Sequence, residues 1–425
     1  MARTYLIRNG TVVSMDPSIG VVENCDVLIE GSKIAKIGPN IVTGDEVSVI
    51  DATNCIVSPG FVDTHRHTWQ TQLRTITSND TLFDYFVKVR NVYGSCYTPE
   101  DAYMGNYCGA LESINSGITC LVDHCHIINS PAHSDAVVKG LKDAKIRGVF
   151  CYGLYQNPLH EGRCEGTAID DSANPGWREA DAARVRREHF PSNEKTDLLR
   201  FGFAPAEMER FPLPVTLDEV KFGRSLGAAI ITGHISMGYL NKGLYLVRSM
   251  AKENLLGPDL LFSHGSALAD DEIESLREAG SAISSTPDTE LQMGMGQPVC
   301  FRAHKMDCHA SLGAEAMGLE HIIGSITVGK RADILITSCD SLRLTPLHNP
   351  IDGLVLYANG SDIDTVLIDG EIVKQKGAFV HADWKAVGSR LRDSAKAIME
   401  RSKAISIERV RAKLLAVMGE EISEI

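Results

Sequence analysis

The feature that most constrains this chain is a run of short apolar segments separated by stretches of helical period, from about residue 59 to 320. The candidate strands are GFVDTHRH (60–67), ITCLVDHCH (118–126), GVFCYGLY (148–155), LRFGFAPA (199–206), AAIITGHIS (228–236), LLFSHG (260–265), SAISSTP (281–287) and HASLG (309–313). Between them lie segments such as PEDAYMGNYCGALESINSG (99–117) and DDEIESLREAG (270–280), whose apolar positions recur at helical spacing. Strands that are apolar throughout and alternate with helices belong to a parallel sheet covered on both faces. Eight in one run predict an α/β fold of the (β/α)8 TIM-barrel type, with an open doubly wound sheet as the alternative.

The flanks have a different texture. Residues 1–58 alternate short β-like runs with turns, and Asn9-Gly10 and Gly31-Ser32 sit where hairpin turns are expected. The same texture returns in GSITVGKRADILITS (324–338) and DTVLIDGEIVKQKGAF (364–379). One small β-sandwich domain is therefore expected from both chain ends, with residues 1–58 and 321–380 as its halves around a barrel at 59–320. The tail, 381–425, carries Arg390, Arg392, Lys396 and Arg401 among Ala, Leu and Ile, and reads as an amphipathic helix packed on the surface.

Composition narrows the partners. A formal net charge of −13 disfavours nucleic acid and anionic membranes, and no stretch is apolar for long enough to suggest a membrane span. The eleven cysteines are scattered without a CxxC pair, as expected of reduced thiols in a cytoplasmic enzyme. The expected partner is a small-molecule substrate, and a homo-oligomer is compatible with the sequence.

The histidines gather at strand ends. Residues i and i+2 of a strand point the same way, so His65 and His67 aim at one space. His234 closes the fifth candidate strand and His264 the sixth. The C-terminal strand ends of a barrel converge on a single mouth, and clustered imidazoles there suit a divalent transition metal. His124 and His126 repeat the spacing on the second strand and read as pocket-lining residues rather than as a second metal site. Trp69 and Gln72, with Gln70, follow the first histidine pair and are candidates to line a substrate pocket, with packing as the alternative for Trp69.

PGFVDTHRHTWQTQLR, the later His234 and FSHG, and the closing GSITVGKRADILI resemble the amidohydrolase superfamily, and within it the cytosine deaminase and atrazine chlorohydrolase branch. The resemblance spans almost the whole chain. It implies His65, His67 and His234 as metal ligands, and His264 as a catalytic residue at the substrate or the nucleophilic water. No lysine ends the fourth strand, where PAEMER offers Glu207 and Glu209, so a single Zn2+ is implied, with Fe2+ as the alternative. The implied reaction is attack of metal-activated water on a C–N (non-peptide) or C–halogen bond of a small heterocyclic or aromatic compound.

Two departures stand out. The branch's deaminases carry a glutamate three residues after the fifth-strand histidine, where this chain has Met237, a side chain that moves no proton. Glu290, in TPDTELQMGMG, is the candidate to meet the substrate from another side, with a capping carboxylate as the plainer reading. In the family, an aspartate that binds the metal and acts as general base follows the Leu-Gly closing the eighth strand. Here Gly313 is followed by Ala314 and the phrase AEAMGL, which normally ends the eighth helix. Roughly 30 residues, about one βα unit, are thus expected to be missing. Loss of the base would cost ~10²–10⁴-fold in rate, and loss of the helix would uncover apolar sheet. The expected protein is a metal-dependent hydrolase of impaired activity. The alternatives are a metal-binding pseudoenzyme and a decarboxylase-type relative in which Arg66 and Arg74 face a carboxylate.

Overall fold

The computed structural model describes residues 3–160, 169–240, 243–308 and 313–418. Seven strands form one all-parallel sheet in sequential order: β6 (Phe61–Arg66), β7 (Ile118–Cys125), β8 (Arg147–Gly153), β9 (Leu199–Ala204), β10 (Ile231–Ile235), β11 (Leu260–His264) and β12 (Ala282–Ser284). Side chains of alternate parity divide the sheet. Leu121, Phe150, Phe201, Ile231 and Phe262 pack outward into the main core with the covering helices, whereas Cys120, Val122, Val149, Cys151 and Leu261 pack together inside the curve. This is the near-closed α/β barrel the strand run predicts.

The edges of that sheet, β6 and β12, meet through a side-chain hydrogen bond between Thr64 Oγ1 and Ser284 Oγ (2.7 Å), with no backbone ladder between them among the described residues. The segment expected to supply the eighth strand, 309–313, lies outside the described residues except for Gly313. Gly313 opens a short helix, Gly313–Ala316, laid so closely on β6 that a Cβ there would stand 2.8 Å from the Val62 Cβ. The chain then drops under the barrel, where Met317, Leu319 and Ile323 pack against Cys120, Val149, Cys151 and Ala282. The phrase AEAMGL thus leads into a floor for the barrel interior. β6 is partly exposed along its length, with Asp63, His65 and Arg66 on the cavity, while β7 and β8 are almost wholly buried.

The second sheet joins both ends of the chain. It comprises β1 (Thr4–Val13), β2 (Val21–Glu30), β3 (Lys33–Gly38), β4 (Ser48–Asp51), β5 (Cys55–Pro59), β13 (Ile334–Ser338), β14 (Ile363–Ile368), β15 (Glu371–Gln375) and β16 (Ala378–Phe379). Its order is β16-β15-β14-β13-β5-β1-β2-β3, with β4 also on β1, and β13 pairs antiparallel with β5, Leu335 opposite Ser58, so that the two ends of the chain share one ladder around the barrel. Gly31-Ser32 makes the β2–β3 hairpin as expected, with Gly31 at φ 60°. Asn9-Gly10 does not turn the chain; it forms a bulge inside β1. Asn9 adopts φ 64° while its N–H donates to Asp26 Oδ1 (3.0 Å), and a Cβ on Gly10 would stand 2.5 Å from Val57 Cγ2. The same dipeptide signal serves a bulge because the neighbouring strand presses on it.

The tail forms two helices, Trp384–Ser402 and Ile407–Met418. The first buries Val387, Leu391 and Ile398 on one side, the amphipathic packing the sequence suggests. It also reaches inward: Ser394 Oγ donates to Asp101 Oδ1 (2.6 Å) and Arg401 pairs with Asp101. Among the described residues no disulfide forms, and no helix is long and apolar enough to cross a membrane.

The barrel is held to the second sheet by a buried ion cluster. Arg147, at the start of β8, donates through Nε to Asp333 Oδ2 (2.6 Å) and through Nη2 to Asp333 Oδ1 (3.1 Å) and Asp369 Oδ1 (2.8 Å). Arg147 and Asp333 are each only 1% exposed in their side chains. Removing one partner of such a pair leaves a buried charge without compensation. Arg147→Ala is therefore expected to lower the unfolding free energy by about 3–5 kcal/mol, read from urea denaturation; a loss below about 1 kcal/mol would contradict this role for the cluster.

Candidate metal centre and active site

Strand direction gathers the histidines at one mouth. His65 lies in β6 and His67 just after it, His124 lies in β7 with His126 beyond its end, His234 lies in β10, and His264 ends β11. Ring centroids stand 4.7 Å apart for His65–His67, 5.1 Å for His67–His234 and 5.2 Å for His65–His234. The His124 ring stacks on His234 at 4.4 Å, and His264 stacks on its other neighbour side at 5.4 Å from His234. One ring nitrogen from each of His65, His67, His124 and His234 lies within 4.8 Å of the others.

The second nitrogen of most rings is engaged elsewhere, which fixes what the first can do. His67 Nδ1 donates to the His124 carbonyl (2.7 Å), leaving Nε2 as a lone pair 3.2 Å from His234 Nε2. His65 Nδ1 bonds to Ser263 Oγ (2.7 Å). His234 Nδ1 stands 3.6 Å from Glu207 Oε2 and 3.4 Å from Tyr155 Oη. Such outer partners orient an imidazole toward a metal. Burial, reinforced by repulsion among the rings, holds His65, His67 and His124 well below the ordinary histidine range. Those three rings are therefore neutral imidazoles with lone pairs to offer, the form a metal needs. His124 Nδ1 is buried without a hydrogen-bond partner. An unmatched buried polar group costs about 1–3 kcal/mol, and a cation among the four rings would remove that cost. The donor set fits a divalent transition metal.

Beside the cluster lies a cavity of about 350 Å³. One wall is polar, with Arg66, Arg74 and Glu112, where Arg74 meets Glu112 at 2.7 Å and Arg66 also pairs with it. The other is apolar, built from Leu82, Tyr85, Phe86, Met237, Met293 and Met295. Asp63, Glu112 and Glu207 are the carboxylates among the described residues that line it. Burial alone would raise Glu207, but His234, Arg90 and Arg210 outweigh it and hold its carboxyl below the usual range. Burial pushes the neighbouring Glu209, which accepts from the Ser236 N–H (2.8 Å), up to about 8.

His264 lines the cavity from the end of β11, at φ 77°, with Nδ1 bonded to Thr286 Oγ1 (2.9 Å). Three of the expected pocket residues sit elsewhere. After His67 the chain leaves the strand for a short 3-10 helix, Thr68–Leu73, so the alternation that carried His65 and His67 inward stops. Trp69 is fully buried and donates from Nε1 to His126 Nδ1 (2.9 Å), while Gln72 donates to the Asp101 carbonyl (2.7 Å) and Ser394 Oγ (3.1 Å). Both face inward behind the site, and Gln70 lines the cavity, donating to Tyr85 Oη (2.6 Å). Glu290 is also fully buried, accepting from the Thr286 N–H (2.7 Å) and standing 3.8 Å from His264 Nδ1. It braces His264 and Thr286, and the cavity wall there is Thr286 and Thr289.

His124 and Glu207 are legible as strand-end residues, yet their places beside His234 depend on which strands become neighbours. Tyr155 carries no local signal, and it reaches His124 and His234 only on folding.

No family model matches this chain. A 5-methylthioadenosine/S-adenosylhomocysteine deaminase from Carboxydothermus hydrogenoformans is 26% identical, covering 90% of this chain and 96% of the relative. A 5'-deoxyadenosine deaminase from Methanosarcina mazei is 24% identical over 93% of this chain and 98% of its own length. The first alignment runs over 426 positions while covering 90% of a 425-residue chain, so the relative holds internal residues that this chain lacks. Among solved structures, a zinc-bound adenosine deaminase from Xanthomonas campestris superposes with a TM-score of 0.80 at 17% identity, covering 94% of this chain and 99% of that one. The zinc complex of atrazine chlorohydrolase from Arthrobacter aurescens gives 0.79 at 17% identity, covering 92% and 100%. With its histidine-ended parallel barrel and two-ended sheet, this chain is similar to these deaminases along nearly its whole length and shares the fold of the zinc-bound adenosine deaminase and of atrazine chlorohydrolase, in line with the resemblance its motifs carry.

Proposed function

We propose that the protein is a metal-dependent hydrolase that cleaves a C–N (non-peptide) or C–halogen bond of a small heterocyclic compound. The observation that carries this is the set of four imidazoles whose ring nitrogens converge at the barrel mouth, beside a cavity of about 350 Å³. His65, His67 and His234 would hold the ion, and Zn2+ suits an imidazole-rich site without lysine or cysteine. When bound, a divalent ion supplies Lewis acidity and makes water nucleophilic near neutral pH.

The chain's own residues account for the rest. Leu82, Tyr85, Phe86 and the three methionines present a soft apolar wall suited to a flat ring, and exclude bulk water from one side. His264, neutral through burial and braced by Thr286 and Glu290, faces the space where the ring carbon would be attacked. Cleavage forms a carbon–oxygen bond and releases ammonia, an amine or chloride. An amine leaves only with a proton, whereas chloride needs none. Met237 delivers no proton, so Glu207, ionised beside His234, is the carboxylate placed to move one. The names of the relatives suggest what to offer: adenosine-type nucleosides, including 5'-deoxyadenosine and 5-methylthioadenosine, and a chloro-triazine.

Purified protein is expected to carry one divalent metal per chain by elemental analysis, and to release ammonia or chloride from at least one of these compounds. Chelation should abolish turnover and Zn2+ should restore it; metal-loaded protein inert toward all of them would favour the pseudoenzyme reading, which the Gly313-Ala314 junction motivates. Glu207→Gln should lower kcat by about 10²-fold or more with amine leaving groups and far less with chloride. Equal losses for both would remove Glu207 from proton transfer. Met237→Glu, by restoring a titratable group on the cavity wall, should raise deamination by about tenfold or more without a matching gain in dechlorination.

A further inference from the structure

We infer that His124 is a fourth protein ligand of the metal, binding through Nδ1 and taking the place that a carboxylate after the eighth strand would otherwise fill. This rests on reading the histidine cluster as a divalent-metal centre. Three observations place His124 there. Its ligand-capable nitrogen falls within 4.8 Å of those of His65, His67 and His234, and among the described residues no aspartate, glutamate or cysteine joins that group. Its ring lies parallel to His234, with 14° between planes and centroids 4.4 Å apart, so it stands at the same depth as an expected ligand. And its two nitrogens are unequally served.

His124 Nε2 lies 2.9 Å from Tyr155 Oη, whereas Nδ1 is buried with no partner. A phenol oxygen accepts a hydrogen bond as well as donating one. With the Nε2 proton given to Tyr155, Nδ1 is a lone pair directed into a fully enclosed environment. The opposite tautomer would bury an N–H donor with nothing to receive it, beside three more imidazoles. The first arrangement is that of a ligand whose other nitrogen is held by an outer partner.

The chemical consequence follows from charge. A carboxylate would cancel half of the charge of a divalent ion, whereas four neutral imidazoles cancel none. Such a site selects Zn2+, Cu2+ or Ni2+ over the oxygen-preferring Mg2+, Ca2+ and Mn2+. It also leaves Glu207, outside the ligand group, as the nearest carboxylate on His234.

The test counts ligands directly. Apo protein loaded with Cu2+ is measured by pulsed EPR, which registers the remote nitrogen of each coordinated imidazole, and affinity is obtained by competition with a chromophoric chelator. Four imidazoles are expected in the wild type, three in His124→Ala and His124→Gln, and four in His126→Ala, whose ring stacks on His67 without joining the ligand group. The two His124 variants should also bind Zn2+ about 10–100-fold more weakly or worse. Three imidazoles in the wild type would overturn the proposal, whether or not any variant folds. Unchanged counts and affinity in the His124 variants would do the same. Wild-type protein that binds no metal at all would instead remove the metal-centre reading beneath it, and a loss of binding in His65→Ala distinguishes a genuine site from surface uptake.

Discussion

Crowding imidazoles into a buried space is unfavourable unless each ring stays neutral and each nitrogen has a use, and much of this structure serves that condition. The rings repel one another's protonation, so the cluster is stable as a set of lone pairs and donors. Each donor then needs an acceptor at a fixed place: the His124 carbonyl for His67, and Ser263 for His65. Those acceptors lie on β7 and β11, so the relative heights of the strands are part of the site. His124 Nδ1 is where the condition fails among protein atoms alone.

Behind the rings, support extends to the end of the chain. His126 stacks on His67 at 4.1 Å and receives the indole N–H of Trp69. The Trp69 carbonyl accepts from Tyr97 Oη (3.3 Å), and Tyr97 also reaches Gln72 (3.4 Å). Gln72 and Asp101 are held in turn by Ser394 and Arg401 of the helix Trp384–Ser402. The second tail helix bears on the cavity wall as well, since Arg411 pairs with Asp84 beside Leu82 and Tyr85. A charged surface tail is thus continuous with the packing that orients a candidate ligand. Contact of this kind transmits position: the links from Trp69 through Gln72 to Ser394 are buried hydrogen bonds whose loss would leave polar atoms unmatched.

What could be read from the sequence was what depends on local period. His65 and His67 share a direction because a strand repeats every two residues, and apolar runs ending in histidine mark strand ends. Trp69 and Gln72 are candidates only by nearness to that pair, and the 3-10 helix Thr68–Leu73 that follows β6 turns both into the packing behind the site, the alternative reading for Trp69. Asn9-Gly10 shows the limit from another side: a bulge and a turn ask for the same residues, and only the approach of Val57 distinguishes them. Glu207, Tyr155 and the bracing role of Glu290 depend on which strands become neighbours, information that no single segment carries.

The Gly313-Ala314 junction joins these threads. Beside the junction, β6 is the most exposed of the first three barrel strands. The residues after the junction offset this from below, with Met317, Leu319 and Ile323 sealing the interior against Cys120, Val149 and Cys151. Across the top, Thr64 and Ser284 bring the sheet edges together one residue before His65 and on the strand next to that of His264. The floor and the mouth are therefore supported separately from the eighth position of the barrel. That separation lets the histidine cluster keep its geometry in a chain whose Leu-Gly is followed by alanine.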